Sequence, residues 1–347
     1  MEHVLESRKR SSLDKQKVPK VFCTRQLPQD AFDLIKDLVD LEVWEGEDAP
    51  PRAVLLEKVK DCDGLISLLT DKIDAELFDA APRLKVVCQY AVGFNNVDLE
   101  AATKRGIYIT NTPGVLTDTV VETTFALLFA AARRIAEGDR YIRSHKWNVG
   151  WHPLMLLGDD LCGSTLGIIG LGRIGKKVAV VAQAFGASVV YNDEYRSQDF
   201  EEQQGVRFVE LEELYRVSDF ISVHVNLTEK TKHLINEQAL RQMKPNCVIV
   251  NTARGPVIDQ KALTDALMNQ VIRAAGLDVF EQEPIDKDDP LLQLENVVCI
   301  PHLGSASLKT RAKMSQLVGE NMAAYFRGDK ELPQLVNTDV HQVNPLL

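Results

Sequence analysis

Residues 165–185 change hydrophobic period in a way that few folds accommodate. Thr165-Leu166-Gly167-Ile168-Ile169 is a short apolar run of strand type, and from Lys176 to Phe185 the pattern is helical. Between them lies Gly170-Leu171-Gly172-Arg173-Ile174-Gly175, a G-x-G-x-x-G. In such a turn the first glycine permits the tight reversal. The second lets a ligand approach the backbone, and the third lets helix and strand pack closely. The following helix N-terminus offers free N–H groups and a partial positive charge, so the turn is suited to a pyrophosphate. Arg173 can add a charge-assisted bond to a phosphate oxygen. Gly170, Gly172, Arg173, Ile174 and Gly175 are therefore candidate cofactor-binding residues.

The next strand-like run, Ser188–Tyr191, ends in Asn192-Asp193-Glu194, and Asp193 stands 18 positions after Gly175. A carboxylate at that place accepts from the ribose hydroxyls of NAD and repels the 2′-phosphate of NADP. NAD is the expected cofactor, with Arg196 nearby leaving room for NADPH.

The same alternation runs through the chain. Strand-like runs fall at Val21–Cys23, Gly64–Leu68, Val86–Cys88, Ile107–Thr110, Phe220–Val225, Val248–Asn251, Ala274–Leu277 and Val297–Ile300, besides the two already named. Helical patterns lie at Asp30–Leu38, Val120–Ala136, Lys176–Phe185, Leu211–Val217, Gln260–Met268 and Thr310–Phe326. Several strand runs are apolar throughout, as in parallel strands covered on both faces. The expected fold class is α/β, with two doubly wound parallel-sheet domains. Four strands fit a flavodoxin-like, discontinuous substrate domain (19–116 and 306–340). Six fit a Rossmann-type NAD-binding domain (117–305), with a return hinge near Gly304 and Ser305. Residues 1–18 read as a flexible N-terminal tail, in which Arg8-Lys9-Arg10 is a candidate basic signal.

Composition removes several classes of function. The net charge of −10 argues against a nucleic-acid partner, which needs a basic face. The longest apolar stretch, Phe125 to Ala132, is far short of a membrane span. None of the six cysteines forms a CxxC pair, and most sit in apolar runs, which points to a reducing cytoplasm. No two histidines stand at a metal-binding spacing, so no metal is expected.

Three further strand runs end in chemistry-bearing residues. Val248–Asn251 leads into Thr252-Ala253-Arg254-Gly255. Ala274–Leu277 leads into Asp278, with Glu283 shortly after. Val297–Ile300 leads into Pro301-His302-Leu303-Gly304. In doubly wound sheets the carboxyl ends of strands form the ligand-binding rim. Reduction of a 2-keto acid needs this set. Arg254 offers a planar fork for a carboxylate, His302 is an acid-base that titrates near neutrality, and Glu283 orients the imidazole and favours its charged form. His145, His224 and His233 read as structural.

Together these segments resemble the D-isomer-specific 2-hydroxyacid dehydrogenases. The matching stretches are Gly170–Gly175, Ser218–Val225, Met243–Asn246, Asn251–Gly255, Ala275–Phe280 and Pro301–Ala306, and the likeness covers about residues 20–340. Tyr90–Asp98, Asn111–Asp118 and Gly150–Met155 are similar to glyoxylate/hydroxypyruvate reductases in particular. The resemblance implies that glyoxylate or hydroxypyruvate is reduced to glycolate or D-glycerate by hydride from NAD(P)H. It implies that the N–H groups of Val92 and Gly93 bind the substrate carboxylate beside Arg254 and His302. It further implies that Asp278 holds the nicotinamide amide, that Thr119 contacts the phosphates, and that Thr252 and Ala253 line the cofactor. A homodimer paired through the cofactor domains is implied as well, with Trp147–Trp151 near the partner's active site or serving dimer packing alone. Asn226 and Val121 depart from the usual proline and alanine, and Asp193-Glu194 departs from the residues of NADPH-preferring reductases. The alternatives are another D-2-hydroxyacid such as 2-ketogluconate, phosphite, or an NAD-sensing corepressor-like regulator.

Overall fold

The computed structural model describes residues 18–346. The expected run Arg8-Lys9-Arg10 lies outside them. The chain divides into two compact units. One extends to Pro113 and resumes at Arg311; the other is Gly114–Thr310. The crossings thus fall at 113/114 and 310/311, a few residues from the 116/117 and 305/306 read from the sequence.

In the first unit the elements run β1 (Lys20–Cys23), α1 (Asp30–Ile35), β2 (Asp40–Val43), α2 (Arg52–Lys58), β3 (Gly64–Ser67), α3 (Ala75–Ala80), β4 (Val86–Gln89), α4 (Leu99–Lys104) and β5 (Tyr108–Thr110). All strands pair in parallel, in the order β2-β1-β3-β4-β5. This is a flavodoxin-like order, and the chain reverses its direction of travel across the sheet between β1 and β3. β3 and β4 are buried at every residue, so neither alternates polar with apolar, and the polar residues that end them, Ser67 and Gln89, bond to each other.

The second unit holds α5 (Thr117–Ala132), α6 (Ile135–Arg143), β6 (Thr165–Ile169), α7 (Arg173–Ala184), β7 (Ser188–Asn192), α8 (Gln198–Gln204), β8 (Arg207–Phe208), α9 (Leu211–Val217), β9 (Phe220–Val223), α10 (Glu237–Gln242), β10 (Val248–Asn251), α11 (Gln260–Met268), β11 (Ala274–Leu277) and β12 (Val297–Cys299). Its seven parallel strands are ordered β12-β11-β10-β9-β6-β7-β8, the Rossmann order with one added edge strand. One apolar layer packs α9, α10 and α11 on one face. Another packs α5 and α7 on the other. The direction of travel reverses between β6 and β9, and in open α/β sheets the ligand crevice lies at the carboxyl end of that switch.

The chain then returns through α12 (Leu308–Arg327) and α13 (Val340–Val343). Ser315 on α12 accepts from the Ala31 N–H at 3.1 Å and donates to the Pro28 carbonyl at 2.5 Å, seating the helix against α1. Among the described residues no helix is long and apolar enough to cross a membrane.

The structure corrects three readings of the sequence. β2 and β8 are additional strands. The single helical pattern Val120–Ala136 is two helices, broken at Arg134, whose φ is +54°.

Candidate active site

The turn after β6 fits a dinucleotide phosphate. Gly170 has φ +97°, and a Cβ there would lie 2.8 Å from the backbone of His224 and Val225, just beyond β9. A Cβ on Gly175 would lie 2.1 Å from the Gly170 carbonyl oxygen, so α7 can approach the turn only with glycine there. Gly172 is different, because nothing lies within 4 Å of where its Cβ would be. Its open side faces no protein, and no side chain caps α7. The first N–H groups of this 12-residue helix are left for an anion.

Asp193 lies beyond β7. One carboxylate oxygen accepts from the Leu171 N–H at 2.6 Å and the other from the Tyr195 N–H at 3.0 Å. The carboxylate therefore fastens the glycine turn while its remaining lone pairs stay open to hydroxyl donors. Arg196 is not free for a phosphate. It forms a fork on Glu201 at 2.8–2.9 Å, which holds that carboxyl at about 2, and it lies over Phe208. Lys230 is paired with Glu194 at 2.8 Å. Exposed ion pairs of this kind are weak, so they favour NADH without excluding the 2′-phosphate of NADPH.

Four residues stand beyond the carboxyl ends of β10, β11 and β12, on the rim that carries the glycine turn. His302 Nδ1 lies 2.7 Å from Glu283 Oε2. Glu283 Oε1 accepts from the Phe280 N–H at 3.1 Å. Burial raises the Glu283 carboxyl, but the His302 hydrogen bond and charge, the Phe280 N–H and the charge of Arg254 outweigh it. The group ends below its ordinary value. His302 Nε2 has no partner among the described residues, so the ring presents one nitrogen to a ligand. His302 also has φ +53°, an uncommon backbone for a side chain of this size.

That backbone is held by Asp278. Its two carboxylate oxygens accept from the N–H groups of Leu303 and Gly304, and the His302 N–H donates to its carbonyl at 3.0 Å. A Cβ on Gly304 would sit 2.8 Å from this carboxylate. Burial raises the Asp278 carboxyl despite these donors.

Arg254 donates to its neighbour Ala253 through Nη1 at 2.6 Å, and among the described residues no carboxylate lies within ion-pair distance. Burial lowers its basicity, partly offset by the charge of Glu283. A desolvated cation without a counter-ion is a ready anion site. Its turn is built by Asn251, which donates to the Arg254 carbonyl at 2.9 Å and accepts from the Ala253 N–H at 3.0 Å. Thr252 meets Thr124 at 3.0 Å, and Thr119 meets Thr310 at 2.7 Å.

In the first unit, the loop after β4 has two successive carbonyls engaged from the 111–112 segment. The carbonyls of Ala91 and Val92 accept from the Thr112 N–H and the Asn111 side-chain amide. The N–H groups of Val92 and Gly93 find no acceptor among the described residues.

The family model "D-isomer specific 2-hydroxyacid dehydrogenase, NAD binding domain" matches residues 125–304, more than half of the chain. A glyoxylate reductase of Korarchaeum cryptofilum is 55% identical over 327 residues, 94% of this chain and 98% of that one. This chain belongs to the D-isomer-specific 2-hydroxyacid dehydrogenases. Among solved structures, the TT0316 protein of Thermus thermophilus superposes with a TM-score of 0.86 at 44% identity, covering 91% of this chain and 99% of that one. An NADPH-dependent glyoxylate/hydroxypyruvate reductase of Sinorhizobium meliloti, solved with NADP and malonate, gives 0.80 at 32%, covering 93% and 98%.

This D-2-hydroxyacid dehydrogenase is therefore an oxidoreductase that uses a nicotinamide dinucleotide. Of the residues singled out in its sequence, the second unit gathers the glycine turn, Asp193, Arg254, Asp278, Glu283 and His302 on one rim. Val92 and Gly93 belong to the other unit. Sequence reasoning missed Asn251 as the builder of the Arg254 turn, although asparagine at a strand end is a turn signal. It also missed Asp278 as the support of the His302 backbone.

Proposed function

We propose that this dehydrogenase reduces glyoxylate and hydroxypyruvate, with NADH as the preferred donor. The observation that carries the reading is the His302–Glu283 contact at 2.7 Å on the same rim as an Arg254 that has no counter-ion. Gly170–Gly175 would hold the dinucleotide, which when bound would supply hydride to the carbonyl carbon. His302 Nε2 donates the proton that turns the carbonyl oxygen into the hydroxyl of the product. Glu283 fixes the ring through Nδ1 and stabilises the imidazolium before transfer. Arg254 grips the substrate carboxylate by a charge-assisted fork, and the N–H groups of Val92 and Gly93 are assigned to substrate binding. Thr119, Thr252, Ala253 and Asp278 line the cofactor in this reading, with Asp278 also holding the turn of His302.

Two features support NADH over NADPH: the Asp193 carboxylate repels a 2′-phosphate, and both nearby cations are already paired. The glyoxylate reductase relatives support the substrate. Cys23, Cys62, Cys88, Cys162, Cys247 and Cys299 are free thiols, consistent with work in a reducing cytoplasm. We assign a homodimer paired through the Gly114–Thr310 unit.

The test is to follow NADH and NADPH oxidation with glyoxylate, hydroxypyruvate, pyruvate and 2-ketogluconate. The expected result is fastest turnover of the two small acids with NADH, and D-glycerate as the product from hydroxypyruvate. Failure to turn over any 2-keto acid with either dinucleotide overturns the reading.

A further inference from the structure

The Val92–Gly93 loop of the first unit is held by a part-buried amide network that the reaction itself does not use. Each peptide group is planar and trans, so a carbonyl held on one side sends the following residue's N–H to the other side. The Ala91 carbonyl accepts from the Thr112 N–H at 2.9 Å, which turns the Val92 N–H away. The Val92 carbonyl accepts from Asn111 Nδ2 at 2.8 Å, which turns the Gly93 N–H away. The Gly93 carbonyl faces Gln89 Nε2 at 3.5 Å. Successive N–H groups therefore point to one side because successive carbonyls are held on the other.

The holders are themselves fixed. Gln89 is fully buried, with its Oε1 accepting from Ser67 at 2.6 Å and its Nε2 donating to Asn96 Oδ1 at 2.8 Å. Asn96 passes both remaining hydrogens to the Leu68 and Asp71 carbonyls at 3.0 and 2.7 Å. The directions of the Gln89 and Asn96 amides are thereby set. A flipped Gln89 would place its Oε1 against Asn96 Oδ1.

Resting on the functional reading above, we propose that Asn111 is a positioning residue for substrate, holding the Val92–Gly93 peptide so that the Gly93 N–H meets a carboxylate. Asn111 touches neither substrate nor cofactor in this assignment. It acts only through the Val92 carbonyl. Asn111→Asp is nearly isosteric but puts an acceptor against that carbonyl. Two oxygens repel, and the peptide turns over or tilts, withdrawing the Gly93 N–H. Asn111→Ala leaves the carbonyl unheld without repelling it.

The experiment measures kcat and KM for glyoxylate, the affinity for oxalate, and the thermal midpoint, in wild type and both variants. It adds the ¹⁵N-glycine amide spectrum of the full chain, with the Gly93 resonance identified by its loss in Gly93→Ala. Expected is a KM for Asn111→Asp raised at least about tenfold, with kcat changed less than about threefold. Asn111→Ala should fall between, while NADH affinity and the midpoint stay near wild type. Oxalate should move the Gly93 resonance in wild type and not in Asn111→Asp.

If Asn111→Asp keeps the wild-type KM and the Gly93 response, the positioning role is overturned while the reductase reading stands. If wild type turns over no keto acid yet oxalate moves Gly93 only when Asn111 is present, the reductase reading falls and the positioning role stands. If oxalate leaves the Gly93 resonance unmoved in wild type, the positioning role is overturned whatever the turnover.

Discussion

His302 is the proton donor of the proposed reaction, and the structure gives it one engaged nitrogen and one without a partner among the described residues. Removing the ring should cost about 10²–10⁴-fold in kcat, the usual contribution of a positioned acid-base group. NADH binding should be unchanged, because the glycine turn does not involve the imidazole. Quenching of protein fluorescence by NADH in His302→Ala, beside its turnover, checks both halves. The Glu283 carboxyl is held below its ordinary value near 4.5. A depressed carboxyl keeps its interaction above that value and loses it only as pH falls through the lower, folded one. The acid limb of kcat is therefore expected below 4.5, and a limb centred higher shows that Glu283 is not paired in the working enzyme. Asp193 accepts from Leu171 in the glycine turn, and in the proposed reading its charge also disfavours a 2′-phosphate. Asp193→Ala should weaken both dinucleotides but NADH more, narrowing the kcat/KM preference by about tenfold, or about 1.4 kcal/mol. A preference left unmoved would refute the charge argument.

Among the elements, the glycines separate packing from binding. A Cβ on Gly255 would lie 1.8 Å from the Phe280 carbonyl oxygen, and no flexible side chain can yield there. Gly255→Ala should cost at least about 1–3 kcal/mol of stability through forced backbone shifts. Gly172→Ala meets no protein atom, so its denaturation midpoint should stay near wild type while its NADH affinity falls. Denaturant titration and NADH titration on the two variants read these opposite outcomes. The same glycines explain what was legible in advance. β6, β10 and β11 are buried on both faces, so their apolar runs coincide with the strands residue for residue. β2 escaped because its residues alternate between exposed and half-buried at the sheet edge, leaving no apolar run to see. β8 has only two residues. The break between α5 and α6 carries neither glycine nor proline. It is made by Arg134, whose guanidinium closes on Glu137 at 2.6–2.7 Å, a contact that needs the fold to be known. In the site, motif residues at strand ends were readable because parallel sheets put them on one rim. Asp278's grip on the N–H groups of Leu303 and Gly304 was not, because a carboxylate that braces a turn looks in sequence like one that binds a ligand.

At the scale of the whole molecule, the Gly114–Thr310 unit carries a run of exposed apolar side chains. α6 buries none of its residues, and Ile135 and Ile142 are each more than half exposed. The segment that follows leaves Trp147, Val149, Leu154 and Leu157 exposed, and Trp151 is 87% exposed. On α7 and just past its end, Val180 and Phe185 are also open, with Phe185 against Phe125 and Phe129 of α5. Single exposed apolar residues need no explanation, but a run of this size on one unit supports the proposed pairing. A second copy of the chain is the simplest occupant, since two-fold pairing covers the same patch on both partners. Light scattering should then give twice the 38.7 kDa chain mass. Trp151→Glu places a charge where the exposed indole would be buried, an unpaired burial that costs several kcal/mol at an interface. The variant should elute as a monomer at micromolar concentration while its glycine turn and His302–Glu283 pair remain intact, so NADH binding persists. A wild-type mass of one chain, or a Trp151→Glu mass still of two, would remove this face from the interface.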